Sequence, residues 1–464
     1  AIKALARSAL AFGLVLATGA CTTYGVIQNK PQSKGEVKSS YTFSEFARNL
    51  NHRSDELALG LAFSGGGTRA AALAYGVLLE LNDTRVLMGG KEQRLLDAVS
   101  VISSVSGGSF TSAYYGLHGD RLFVDFEKRF LRQNVEGALL RGLFNPLRWF
   151  SSRGRTEMAV AHYQESLFGG ATYADLMKKD SPLILINTSD LSSGARFSFI
   201  QEYFDLLCSD LKSFALARAV TASSAVPVLF DPVVVENYAG CPKRLPAWLV
   251  AAQQRDNDNP NLRMIVESDV AYEDKVAHKF AQFVDGGITD NLGLRAILDT
   301  IELVGGAKEY LQNEGIPTPR RIAIISVNAA ADTPLGIGAT SEAPGVGKTM
   351  DAVTSIQLHR YNVATVQKTQ HSLERWTREL STPERPVTHY FIRLSFEDVP
   401  EARLRLFLNE IPTSFALSDE QVDKLIATGR ELLRNNAEFR RLLASLQPPD
   451  GAADAGPHSP PSAR

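Results

Sequence analysis

Phe63-Ser64-Gly65-Gly66-Gly67-Thr68-Arg69 and Ser104-Val105-Ser106-Gly107-Gly108-Ser109 lie about forty residues apart, and each follows an apolar run and opens a stretch of small residues. Leu57, Leu59, Leu61 and Phe63 alternate into the first, which predicts a strand, and Thr68 to Leu81 carries Ala70, Ala71, Ala72, Ala74 and Gly76 at positions that suit a helix packed close to a sheet. Val99 to Val105 predicts a second strand, with a helix from about Phe110. Further strands are expected at Leu183 to Asn187, Lys279 to Val284 and Arg321 to Val327, and helices near Phe214 to Ala222 and Asp351 to Leu380. Strands alternating with helices give an α/β layered domain with a mainly parallel sheet.

A serine on a sharp turn from strand to helix has its hydroxyl pushed out of the sheet, as a nucleophile requires. Ser106 has that setting, with Ser104 in the first small position of the G-x-S-x-G pattern and Gly108 in the last. Gly65, Gly66 and Gly67 offer unobstructed backbone N–H groups at a helix N-terminus, where the helix dipole adds to them and a developing oxyanion is stabilised. Arg69, in the first helical turn, is placed in the oxyanion hole with the three glycines, and because it opposes that dipole it calls for an anionic partner or a structural carboxylate. Asp285 closes an apolar run and is followed by Gly286, Gly287, Asp290, Asn291 and Gly293. Held close to a serine and partly desolvated, such a carboxylate serves as a general base, and Asp290 reads as support for its loop.

Other readings of these glycines fail on spacing. From Gly65 the last glycine of a dinucleotide fingerprint falls on Ala70, and the phosphate-loop ending Gly347-Lys348-Thr349 would need its first glycine at Glu342. A Ser-His-Asp arrangement would draw its base from His359, His371 or His389, none of which sits in a glycine-rich strand-end loop. A lipid-binding protein without chemistry is a third reading, against which both Ser106 and Asp285 are retained.

Taken together the motifs resemble those of the patatin-like phospholipases. Gly65-Gly66-Gly67-Thr68-Arg69 is similar to the family's G-G-G-x-[RK], Ser104 to Gly108 to its G-x-S-x-G, Asp285-Gly286-Gly287 to its D-G-[GA], and Ala222 to Pro227 to its A-S-x-A-x-P. The resemblance implies a three-layer α/β/α fold and a Ser–Asp dyad, Ser106 with Asp285, that cleaves acyl esters of lipids without histidine, metal or cofactor. It departs from the family at Ser104, where the pattern has glycine.

The 464 residues carry a net charge of −2 and no dense basic cluster, which argues against nucleic acid as a partner. Lys3 and Arg7 precede an apolar stretch from Ala9 to Leu16, too short to cross a bilayer, that ends at Ala17-Thr18-Gly19-Ala20-Cys21. The pattern predicts an export signal over 1–20 and resembles a bacterial lipobox, which implies lipid on Cys21, an outer-membrane anchor and a periplasmic catalytic domain; Thr18 stands where the lipobox has Leu. A tether is expected over 21–54, a catalytic domain over 55–330 with an insertion near 241–278, a helical C-terminal extension over 331–447 opened at Ser418-Asp419-Glu420-Gln421 by a capping box, and a disordered tail over 448–464. Leu143, Phe144, Pro146, Leu147, Trp149 and Phe150 interleave with Arg141, Arg148, Arg153 and Arg155, a composition that suits either a lipid surface or a buried lid. Cys208 and Cys241 either pair or remain free thiols.

Overall fold

The structure is a computed structural model that describes residues 25–32, 41–50, 55–135, 137 and 154–447, apart from 179, 228, 242–244, 257–258, 332–336 and 340. Cys21, the 143–150 segment and the 448–464 tail lie outside the described residues. Among the described residues the central sheet has eight strands, seven of them in one row: β1 (Ala58–Phe63), β2 (Val99–Val105), β3 (Leu183–Asp190), β4 (Val233–Glu236), β5 (Phe280–Asp285), β6 (Arg321–Val327) and β7 (Thr388–Leu394). Their order is β7-β6-β1-β2-β3-β5-β4, and a short strand, Arg196–Ser198, pairs with β3. From β7 to β3 the neighbours are parallel.

The helices that matter for the site are α1 (Gly67–Asp83), α2 (Gly107–His118), α3 (Leu216–Ser223), α4 (Leu294–Val304), α5 (Val346–Leu380) and α6 (Asp419–Asn435). Because side chains alternate along a strand, each central strand feeds two cores. Leu61, Phe63 and Ile325 face one, with Leu73 and Val77 of α1 and Leu425 of α6; Ala62 and Ile324 face the other, with Leu298 of α4 and Leu373 and Trp376 of α5. The result is helix, sheet and helix in three layers.

β5 runs against its neighbours, antiparallel to both β3 and β4. This direction decides where Asp285 goes. Val105, the last residue of β2, pairs with Asn187 of β3, while Asp285, the last of β5, pairs with Thr188. β3 outruns β2, and β5 arrives along that overhang from the opposite side. The residue that follows β2, Ser106, therefore stands level with Asp285.

The region 331–447 is not a purely helical extension, because Thr388–Leu394 joins the sheet as β7, with Tyr390, Ile392 and Leu394 buried on alternate positions. The rest of it packs hard on the catalytic elements. A Cβ on Gly76 would sit 2.3 Å from the Ile426 carbonyl oxygen and one on Gly429 2.4 Å from that of Leu73, so α1 and α6 touch backbone to backbone. Arg434 and Arg430 pair with Glu80 at 2.6 and 3.2 Å across the same seam. The expected tether is also partly folded: Lys30–Pro31 pairs with Ser209–Asp210, and the buried Tyr41 donates its hydroxyl to the Ile184 carbonyl at 3.0 Å, holding the helix Phe43–Leu50 on the body. Gly347-Lys348-Thr349 lies in the first turn of α5 with no strand directly before it.

Candidate active site

Ser106 turns the chain from β2 into α2 with φ 49° and ψ −120°, a left-handed conformation that costs a non-glycine residue about 1–3 kcal/mol and points its side chain out of the sheet. The turn closes only because its neighbours lack side chains. A Cβ on Gly107 would lie 1.9 Å from the Gly67 carbonyl oxygen, and one on Gly108 would lie 2.7 Å from the Cβ of Phe63. Ser104, where the family pattern has glycine, shares a 2.6 Å hydrogen bond with the Ser112 hydroxyl inside α2, so its extra atoms are buried and satisfied.

The Ser106 hydroxyl donates to Asp285 Oδ2 at 2.8 Å, with 4% of Ser106 and 9% of Asp285 exposed. The other carboxylate oxygen, Oδ1, accepts from the Gly287 N–H at 2.8 Å. The backbone around Asp285 is pinned as well, its N–H donating to the Ala225 carbonyl at 2.9 Å and that of Gly286 to the Ser223 carbonyl at 3.1 Å. A Cβ on Gly286 would meet the Asn187 carbonyl oxygen at 2.4 Å, which explains a glycine there. Burial pushes the Asp285 carboxyl up to about 6, partly opposed by the Gly287 N–H and the Ser106 hydroxyl. It is thereby a stronger base than an exposed aspartate and is still mostly ionised at neutral pH.

Beside Ser106 lies the N-terminus of α1, where Gly66 (φ 134°) and Gly67 (φ 60°) take conformations that other residues avoid. Among the described residues their N–H groups have no acceptor, and the Gly67 nitrogen is 2.8 Å from where a Cβ on Gly107 would stand. Two free donors thus flank the serine turn. Gly65 differs from the expectation of an oxyanion donor, since its own N–H is spent on the Asn291 carbonyl at 3.0 Å. Its place is steric, because a Cβ there would lie 3.3 Å from that of Ser106.

Arg69 is a second correction. Its guanidinium donates to the Ala329 carbonyl at 2.9 Å, to the Ile411 carbonyl and to the Thr413 hydroxyl at 3.0 Å, and so it does not serve the oxyanion loop directly. Carbonyl oxygens take the place of the expected carboxylate, and burial without a counter-charge lowers its pKa to about 10. Through Arg69 and the Thr68 N–H, which donates to the Ser414 carbonyl at 2.9 Å, the 411–414 segment is tied across the start of α1.

Asp290 is fully buried and caps α4, its Oδ2 accepting the Ala296 N–H at 3.0 Å. Ser223 is a site residue that the sequence reading passed over. Its hydroxyl accepts the Ser106 N–H at 2.9 Å and donates to the Asn187 carbonyl at 2.6 Å, linking the nucleophile turn to β3. The only signal for it was its place inside Ala222 to Pro227. Nothing near Ile411 to Ser414 marked that segment as part of the site. Of the histidines, His389 lies 3.3 Å from the Thr377 hydroxyl, and none among the described residues bonds to Ser106 or Asp285. No group of His, Cys, Asp and Glu among the described residues is arranged to hold a metal ion.

The arrangement of serine, carboxylate and glycine loop agrees with a family model, that of the patatin-like phospholipases, which matches residues 61–298, just over half the chain. The chain belongs to the patatin-like phospholipase family. It is accordingly a lipid acyl hydrolase built on the three-layer patatin-like fold. The match starts within β1, takes in β2, the Ser106 turn and the Asp285 loop, and ends within α4. No curated protein matches the chain. Among solved structures, human GIVD cytosolic phospholipase A2 is 12% identical, with 91% of this chain and 69% of that chain covered at a TM-score of 0.43. The same human enzyme in complex with methyl gamma-linolenyl fluorophosphonate is 12% identical over the same shares, with a TM-score of 0.38.

Proposed function

We propose that this patatin-like phospholipase cleaves acyl esters of phospholipids or related lipids with Ser106 as nucleophile and Asp285 as its general base, without histidine, metal or cofactor. The observation that carries the reading is the 2.8 Å hydrogen bond from the strained, buried Ser106 to Asp285. As the Ser106 oxygen attacks the ester carbonyl, its proton passes to Asp285 Oδ2, and the oxyanion is held by the Gly66 and Gly67 N–H groups. The proton then goes to the leaving alcohol and the acyl group stays on Ser106. Water, deprotonated by Asp285, attacks the acyl-enzyme and releases the fatty acid. The test is mass spectrometry of a phospholipid panel incubated with the enzyme, which is expected to show free fatty acid and lysophospholipid. Unchanged lipids across the panel would overturn the substrate class.

Because the base must be ionised and its folded pKa is raised to about 6, kcat/KM is expected to rise with pH and level off above that value, falling about tenfold per unit below it. A profile flat from pH 5 to 8, on a substrate that does not itself titrate, would contradict Asp285 as the base.

The anchoring reading is part of the same proposal: export through the N-terminal signal, lipid on Cys21 and the catalytic domain held against a membrane, in the periplasm of a bacterium. What supports it is the run of small residues directly before Cys21 after a short apolar stretch. Cys21→Ser is expected to move the protein from the membrane to the soluble fraction. Unchanged fractionation, with no lipid on the wild-type N-terminal peptide, would refute it.

A further inference from the structure

Away from the active site, Cys208 and Cys241 come together although about 33 residues separate them. Both line one cavity, and the Cys241 sulfur is 3.5 Å from Oε1 of Gln32, which lines the same cavity. The contact is framed by backbone on both sides: the Tyr238 N–H donates to the Leu207 carbonyl at 3.0 Å and the Gln32 N–H to the Cys208 carbonyl at 2.9 Å. Lys275 adds a clamp, its ammonium donating to the Leu206 carbonyl at 2.7 Å and to Asn237 Oδ1 at 2.6 Å. The segments that carry the two cysteines are thus tied to each other by backbone and by Lys275.

Cys208 sits in the left-handed region at φ 51°, one of three non-glycine residues with positive φ among those described. A glycine would relieve that backbone, so the side chain at this position carries a use that offsets the strain. Access exists as well. Both cysteines line a cavity of about 730 Å³ walled by Leu245, Val250 and Gln254, Cys241 half-buried and Cys208 buried.

We propose that Cys208 and Cys241 form a disulfide by exchange with a disulfide oxidant that enters this cavity. The accessible Cys241 gives up its proton and its thiolate attacks one sulfur of the oxidant, forming a mixed disulfide and expelling one thiolate. Cys208, deprotonated in turn, attacks the Cys241 sulfur and expels the second thiolate. One S–S bond has formed, two protons have left the cysteines, and two electrons have reduced the oxidant to two thiols. Burial and the neighbouring thiol push Cys241 up to about 12, which keeps its thiolate scarce at neutral pH and the first displacement slow. The bridge locks the start of the 241–278 insertion to the body, and it shrinks the unfolded ensemble by closing a loop.

The experiment takes the full chain, incubates it with glutathione disulfide at mildly alkaline pH, alkylates the remaining thiols and maps the digest without reduction. A peptide pair linked through Cys208 and Cys241 is expected, with a melting temperature a few degrees above that of the phosphine-reduced protein. In Cys241→Ala the linked pair should vanish, the melting temperature should no longer respond to reduction, and Cys208 should be alkylated only after denaturation. Recovery of the wild-type cysteines as two alkylated peptides, as separate glutathione adducts, or linked to Cys21 would overturn the proposal.

Discussion

Ser106→Ala is expected to lower acyl release by about four orders of magnitude or more, the scale on which loss of an activated nucleophile acts. Asp285→Asn is expected to fall nearly as far. The amide keeps the shape of the carboxylate but cannot take the proton, and burial leaves no room for a substitute base. A factor of ten thousand corresponds to about 5.5 kcal/mol of transition-state stabilisation, more than the single hydrogen bond between the two residues contributes to folding. Both variants should therefore keep the wild-type circular dichroism spectrum. His359→Ala, His371→Ala and His389→Ala should retain near-wild-type rates, since none of these side chains bonds to the dyad. A histidine variant that remained folded and lost as much activity as Ser106→Ala would replace the dyad with a triad.

A single methyl group placed between the two glycine turns should also be severe. In Gly107→Ala the new carbon would stand 1.9 Å from the Gly67 carbonyl oxygen, 2.8 Å from the Gly67 nitrogen and 2.7 Å from the Gly67 carbonyl carbon, all of it backbone that has no rotamer to change. Either the oxyanion loop or the nucleophile turn must move. Removing one oxyanion donor costs about 2.7–4 kcal/mol of transition-state stabilisation, so a hundredfold to thousandfold loss of kcat is expected, together with a lower melting temperature. Gly345→Ala is the matched control, since nothing lies within 4 Å of its added carbon and its φ is −66°. Steady-state kinetics on a soluble short-chain ester separates the two, and equal rates for Gly107→Ala and wild type would show that the loop is not where the oxyanion forms.

What the sequence disclosed and what it hid follow from the range of each interaction. β1, β2 and β6 were legible because the alternation and apolar runs that form them are local, and the glycines after β1 and β2 announce the turns. β7 carried its signal in Tyr390, Ile392 and Leu394, but Thr388, His389 and Arg393 on an edge strand made it easy to read past among helices. The antiparallel direction of β5 has no local signature at all, since a strand's residues fix its faces and not its heading. Arg69 shows the same limit more sharply. Its partners Ala329, Ile411 and Thr413 lie 260 to 344 residues along the chain, and only the packing of α6 on α1 brings the last two within reach. In the expected tether, Tyr41 and Phe46 are two apolar residues without periodicity, and their burial depends on a groove made by other parts of the chain.

Labelling with an alkyl fluorophosphonate, followed by peptide mapping, tests the Ser106–Asp285 pairing most directly, because the reagent forms a stable adduct only with a serine that has been activated. The adduct is expected on Ser106 alone in the wild-type protein, to form at least a hundredfold more slowly in Asp285→Asn, and to form at the wild-type rate in the three histidine variants. An adduct on any other residue, or undiminished labelling of Ser106 in Asp285→Asn, would contradict it.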